Sequence, residues 1–155
     1  MEKQFAMIGF PNEVCEETSF TVYATEPHKT FLEKVFLLHE EFYRPDKSTI
    51  RSLRMSRHLY DLNRMMNVSI DKDALANTDL YATLVRHREQ YIRISWMDYT
   101  MLAISTINFI PPDEVMEKYK KDYEVMKEQM IYGEASAFND LLKILKEFLG
   151  GLKKG

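Results

Sequence analysis

The chain has 155 residues with 21 Lys and Arg against 24 Asp and Glu, which suits one domain, residues 1–155, with a mildly acidic balance. Apolar residues at 45%, aromatics at 12% and charges at 29% exclude a disordered, collagen-like or coiled-coil chain and predict a packed core. Cys15 is the only cysteine, which excludes a disulfide framework or cysteine metal cluster within this sequence and suits a reducing cytoplasm.

The opening Met1-Glu2-Lys3-Gln4 lacks the apolar stretch of a secretory signal. Residues 5–10 and 20–24 are rich in Phe, Val, Tyr and Thr and flank a Pro11-Asn12-Glu13 turn signal, so residues 1–25 are expected to form a short β-hairpin. Two strands do not make a stable sheet alone. The hairpin must therefore rest on the helices or be the remnant of a larger sheet.

Residues 26–150 read as helical. Thr30 is expected to cap a first helix over residues 30–43, where Phe31, Val35, Leu38 and Phe42 recur at helical spacing and Leu32, Phe36 and Leu37 widen the stripe. Such a helix is central. Pro45 ends it, and Ser48 opens a second helix over residues 48–67 with Met55, Leu59, Leu62 and Met66 on one face. Residues 67–77 read as a connection with a helical turn near Ala74, and a third helix covers residues 79–93. Residues 95–112 show no clear period and suggest a packed, largely extended or turn-rich passage. The longest uncharged run, residues 99–112, is too short and polar to span a bilayer. Pro111-Pro112-Asp113 then starts a helix to about Ile131, with Val115, Tyr119, Met126 and Met130 inward. Gly133 supplies a left-handed stop. A last helix follows, with Phe138, Leu141, Leu142, Leu145, Phe148 and Leu149 at amphipathic spacing. The expected fold class is mainly α (α+β), about five helices in a bundle with a short N-terminal β-hairpin.

Charge is distributed unevenly. All eight arginines lie between residues 44 and 93, and arginine offers a planar fork of donors suited to phosphate and carboxylate. On the second helix Arg54, Arg57, Asp61 and Arg64 fall on one side, opposite the Met55-Leu59-Leu62-Met66 face. Asp61 is either paired with Arg57 and Arg64 or a carboxylate that orients cations for a phosphate. Lys34 stands among Phe31, Leu32, Val35, Phe36, Leu37 and Leu38 with no acid at its facing offsets, so its partner must be water at the core edge, another element or a ligand. Arg88, among Tyr81, Leu84, Val85, Tyr91 and Ile92, calls for a buried partner or a ligand in the same way.

The four histidines (28, 39, 58 and 87) show no metal-ligand spacing, so no metal site is expected. Asp71-Lys72-Asp73 spells Asp-x-Asp, but no glycine-serine turn precedes it and Ala74-Leu75-Ala76 follows, so it reads as a helix cap. No P-loop, nucleophile elbow or dinucleotide-binding glycine pattern occurs.

Thr30-Phe31-Leu32-Glu33-Lys34 followed by Ser56-Arg57-His58-Leu59-Tyr60-Asp61-Leu62 resembles the AbiEii/AbiGii-type nucleotidyl transferase toxin family. His87-Arg88, Ile107-Asn108-Phe109-Ile110-Pro111-Pro112 and Met130-Ile131-Tyr132-Gly133-Glu134 resemble the family's C-terminal helical part, and the likeness spans roughly residues 18–148. The resemblance implies that Lys34 matches the nucleotide-contacting lysine and Asp61 the later aspartate, as catalytic residues. Arg54, Arg57, Arg64 and Arg88 are then the substrate-binding candidates. His58 departs from the pattern, where an aspartate commonly stands. The family's Gly-Ser turn and metal-binding Asp-x-Asp belong to a preceding nucleotidyltransferase domain, with no counterpart here. The expectation is the C-terminal helical part of such a toxin, inactive alone, in a toxin–antitoxin or abortive-infection setting in the cytoplasm. It holds no cofactor by itself, Mg²⁺ and a nucleoside triphosphate being expected only with the catalytic domain. Its partners would be a nucleotide or RNA substrate and an antitoxin or catalytic-domain protein, with no membrane. The alternative is a stand-alone helical protein-interaction module without catalytic activity.

Overall fold

A computed structural model describes residues 21–153. Six α-helices occur among them: α1 (Pro27–Phe42), α2 (Ser56–Met66), α3 (Ile70–Ala76), α4 (Thr78–His87), α5 (Asp113–Met130) and α6 (Phe138–Leu152). No strand occurs among the described residues. The expected N-terminal hairpin is thereby overturned: residues 21–25 are irregular and exposed, and Val22 and Tyr23, at 68% and 97% exposure, bury no apolar face against the helices. Residues 5–10, its other expected strand, lie outside the described residues. The mainly α class stands, with α3 as the helix expected only as a turn.

The organising element is α1. It begins three residues earlier than expected, because Pro27 presets the first turn and Thr30 lies inside it, its Oγ1 donating to the Glu26 carbonyl at 3.2 Å. From Phe31 to Phe42 no residue is exposed. Three edge-to-face aromatic contacts leave it at successive heights: Phe31 to Phe148 on α6, Phe36 to Tyr81 on α4, and Phe42 to Tyr119 on α5. Each such ring removes a large apolar area from water and adds about 0.5–1.5 kcal/mol of pair preference. The other helices therefore close around α1, with α2 and α3 against its flank.

The second expected helix starts late. Residues 47–49 form a single 3₁₀ turn capped by Asp46, and residues 50–55 are irregular until α2 begins at Ser56. The backbone of this passage is claimed by side chains of other helices. Glu41 of α1 accepts from the Arg51 amide at 2.7 Å, and Tyr119 of α5 donates to the Arg51 carbonyl at 2.8 Å. Arg54 then turns left-handed at φ 59°. Its amide donates to Asp122 Oδ1 at 2.6 Å, while the Ser56 amide and hydroxyl donate to Asp122 Oδ2 at 2.9 and 2.6 Å. Asp122, on α5, thus does for α2 what an N-cap residue ordinarily does from within the chain.

Later elements follow the sequence more closely. Asn77 caps α4 through Leu80, and α4 continues into a π-helical turn, Arg88–Ile92, that stops at left-handed Arg93. Residues 95–112 pack as turns with a 3₁₀ segment, Tyr99–Leu102, and bury Met97, Leu102, Ile107 and Phe109. On α5, Val115, Tyr119 and Met126 point inward as expected, joined by Tyr123. Met130 does not, being 61% exposed.

His39 is buried on α1, and its Nδ1 accepts the Asn108 amide at 2.8 Å. Burial pushes its imidazole down to about 4 from 6.5. Burial pushes the Glu41 carboxyl up, but bonds from the Arg51 amide and side chain and from Arg44 outweigh that and hold it below its ordinary value.

Two outcomes are expected. Replacing Asp122 with Ala leaves the start of α2 uncapped and lowers unfolding free energy by about 1–2 kcal/mol in urea denaturation; an unchanged midpoint would show the cap to be idle. Between pH 6.5 and about 4 the unfolded chain takes up a proton that folded His39 refuses. Stability therefore falls on acidification, by roughly 3 kcal/mol from this group, with the loss at Glu41 adding below that window. Denaturation at a series of pH values should show a shallower slope for His39→Gln than for the unaltered chain, and equal slopes would contradict this assignment.

Candidate phosphate-facing site at Lys34 and Asp61

Lys34 and Asp61 meet. The Nζ of Lys34 on α1 donates to Oδ2 of Asp61 on α2 at 2.7 Å. The pair sits at the rim, with side-chain exposures of 21% and 39%. Packing of α1 against α2 places both groups: Lys34 stands one residue before buried Val35, and Asp61 one residue before buried Leu62. Asp61 makes no ion pair with Arg57 or Arg64 among the described residues; its partner comes from across the fold. An ammonium carries more donors than the one Asp61 takes, so Lys34 keeps hydrogen-bonding capacity toward a ligand.

Lys34 also lines an open groove of about 350 Å³ with Thr25, Lys29, Thr30, Glu33 and Leu37. Lys29 was not singled out by its sequence position; the signal available was its place one turn before Glu33, on the same side of the helix. Glu33 would oppose an anion here, but its Oε2 accepts from Arg88 Nη1. Arg88 lies at the start of the π-helical turn, is 4% exposed, and donates from Nε and Nη2 to both oxygens of buried Glu40. The buried carboxylate partner that the surroundings of Arg88 called for is therefore two glutamates of α1.

His58 stands beside the pair. Burial, and then the charges of Lys34 and Arg57, push it down to about 4, so it is neutral near pH 7. Its Nδ1 is buried and has no hydrogen-bond partner among the described residues.

The remaining arginines do not gather around Lys34. Arg54 and Arg57 line a second groove with α5 residues, and Arg64 is exposed on α2. Asp71 and Asp73 both lie on α3, not on a strand. Two residues apart on a helix they point to opposite sides: Asp71 is buried and Asp73 is exposed, 3.8 Å from His28 Nε2. They do not fit a shared Mg²⁺. No group of three or more His, Cys, Asp or Glu among the described residues could hold a metal ion, and no described helix is long and apolar enough to cross a membrane.

Compared with curated proteins and with solved structures, the chain gives no match. A family model does match it over residues 4–144, and its description is nucleotidyl transferase AbiEii toxin, type IV TA system. That span covers α1 to α5, both members of the Lys34–Asp61 pair and the first half of α6, so the chain belongs to the AbiEii nucleotidyl transferase toxin family.

Proposed function

We propose that this chain is the phosphate-engaging helical part of a nucleotidyl transferase toxin, with Lys34 as the cation that meets the nucleotide's phosphates. The observation that supports it most is the 2.7 Å contact between Lys34 and Asp61 at the edge of an open groove. Arg88, by contrast, pairs with Glu40 out of reach of solvent. Here Asp61 holds the ammonium in place, a phosphate approaching along the groove meets Lys34 and Lys29, and Arg88 neutralises Glu33 on the groove wall. His58, uncharged, leaves the local balance to the lysines and Asp61.

Nucleotidyl transfer needs electrostatic stabilisation of the charge on the transferring phosphoryl group, a role that Mg²⁺ held by paired carboxylates commonly fills. Asp71 and Asp73 do not supply that pair, so the chain is proposed to bind nucleotide by itself and to transfer it only when those carboxylates come from another polypeptide segment. Lys34 and Asp61 are the residues proposed to touch substrate. Arg88 is proposed to position Glu33, and Arg64 to add long-range attraction for an anionic acceptor.

Isothermal titration with each nucleoside triphosphate tests this reading. Binding is expected at submillimolar concentration and should weaken about tenfold or more in Lys34→Ala, with the helical circular dichroism unchanged. Asp61→Asn removes an anion from beside the phosphate, so its affinity should change less than that of Lys34→Ala. Absence of heat at millimolar triphosphate, or equal affinity in Lys34→Ala, would end the proposal.

A further inference from the structure

Val125, Gln129 and Met130 form a strip of α5 left exposed by the described residues, with half-buried Asp122 and buried Met126 along its inner edge. Asp122, Val125, Met126, Gln129 and Met130 recur at i, i+3, i+4, i+7 and i+8, the offsets with which one helix packs on another. They form one wall of a groove of about 500 Å³, and Leu53, Arg54 and Arg57 form the other. Val125 is 51% exposed, Met130 61% and Leu53 81%, so large apolar side chains line one trough instead of lying singly on the surface. Asp122 is engaged in capping α2, and neither Arg54 nor Arg57 makes an ion pair among the described residues.

We infer that this groove docks an acidic amphipathic helix of a partner protein. Its apolar face lies on Leu53, Val125 and Met130, and its carboxylates meet Arg54 and Arg57. The helical offsets on α5 supply a ridge for such an occupant, the methionine side chains adapt to its shape, and the arginines select its charge. A nucleic-acid strand fits less well: no aromatic ring lines the groove for base stacking, and its only cations are Arg54 and Arg57. This inference does not depend on nucleotide binding at Lys34.

Selection of a displayed random-peptide library, roughly 15 residues long, on the full chain tests it. Enriched peptides should place apolar residues at i, i+3 or i+4, and i+7, with Asp or Glu beside them. Their affinity should fall about tenfold in Arg57→Glu and in Met130→Ser, and Lys-for-Glu peptides should regain binding to Arg57→Glu. Both side chains are exposed, and if either variant loses its helical circular dichroism the other carries the comparison. No enrichment, enriched peptides without acidic residues, affinity indifferent to both variants, or a single-stranded RNA oligonucleotide that binds in place of peptides and is lost in Arg57→Glu would each overturn it.

Discussion

A helix with no fully exposed residue over twelve positions leaves its charges little water, and α1 is such a helix from Phe31 to Phe42. Burying an unpaired charge is prohibitive, so Glu33, Lys34, Glu40 and Glu41 in that stretch each pair with a residue from outside α1. Glu40 and Glu33 take Arg88 from the end of α4, Glu41 takes Arg51 from the passage before α2, and Lys34 takes Asp61 from α2. The apolar residues of α1 make the core, and its polar residues decide which parts of the chain lie next to it.

These pairs differ in depth. Glu40 and Arg88 are almost wholly enclosed, and their bidentate geometry fixes α4 on α1. Lys34 and Asp61 have the same chemistry at the rim, where water and ligands reach them. A rim pair contributes little to stability and exchanges partners easily. That difference is the ground for proposing Lys34 for function and Arg88 for structure, though both look alike as isolated cations in apolar surroundings.

The helices whose determinants are local were legible in the sequence. Pro112 and Asp113 start α5, the leucines of α6 keep their spacing, and Lys34 lacked an acid on its own helix, which already required a partner from another element or a ligand. What depends on distant residues was not legible. The late start of α2 comes from Asp122, 66 positions beyond Ser56 in the chain, which no window around Ser48 contains. No local window joins Lys34 to Asp61, 27 positions away; only the family resemblance, which names both as catalytic residues, brought them to one site. The β propensity of residues 21–24 misled because propensity forms no strand without a neighbour to pair with. The placing of Arg54, Arg57 and Arg64 on one side of a single expected helix concealed that the turn at Arg54 sets Arg54 and Arg57 against α5.

The most direct measurement compares two substitutions that keep most of the aliphatic stem and remove the charged, hydrogen-bonding head. In urea denaturation, Arg88→Met is expected to cost about 3–5 kcal/mol, because it strands Glu40 in the interior. Lys34→Met is expected to cost less than about 1 kcal/mol. Equal costs, or a larger one at Lys34, would show that the Lys34–Asp61 contact holds the fold together and is not held open for a ligand.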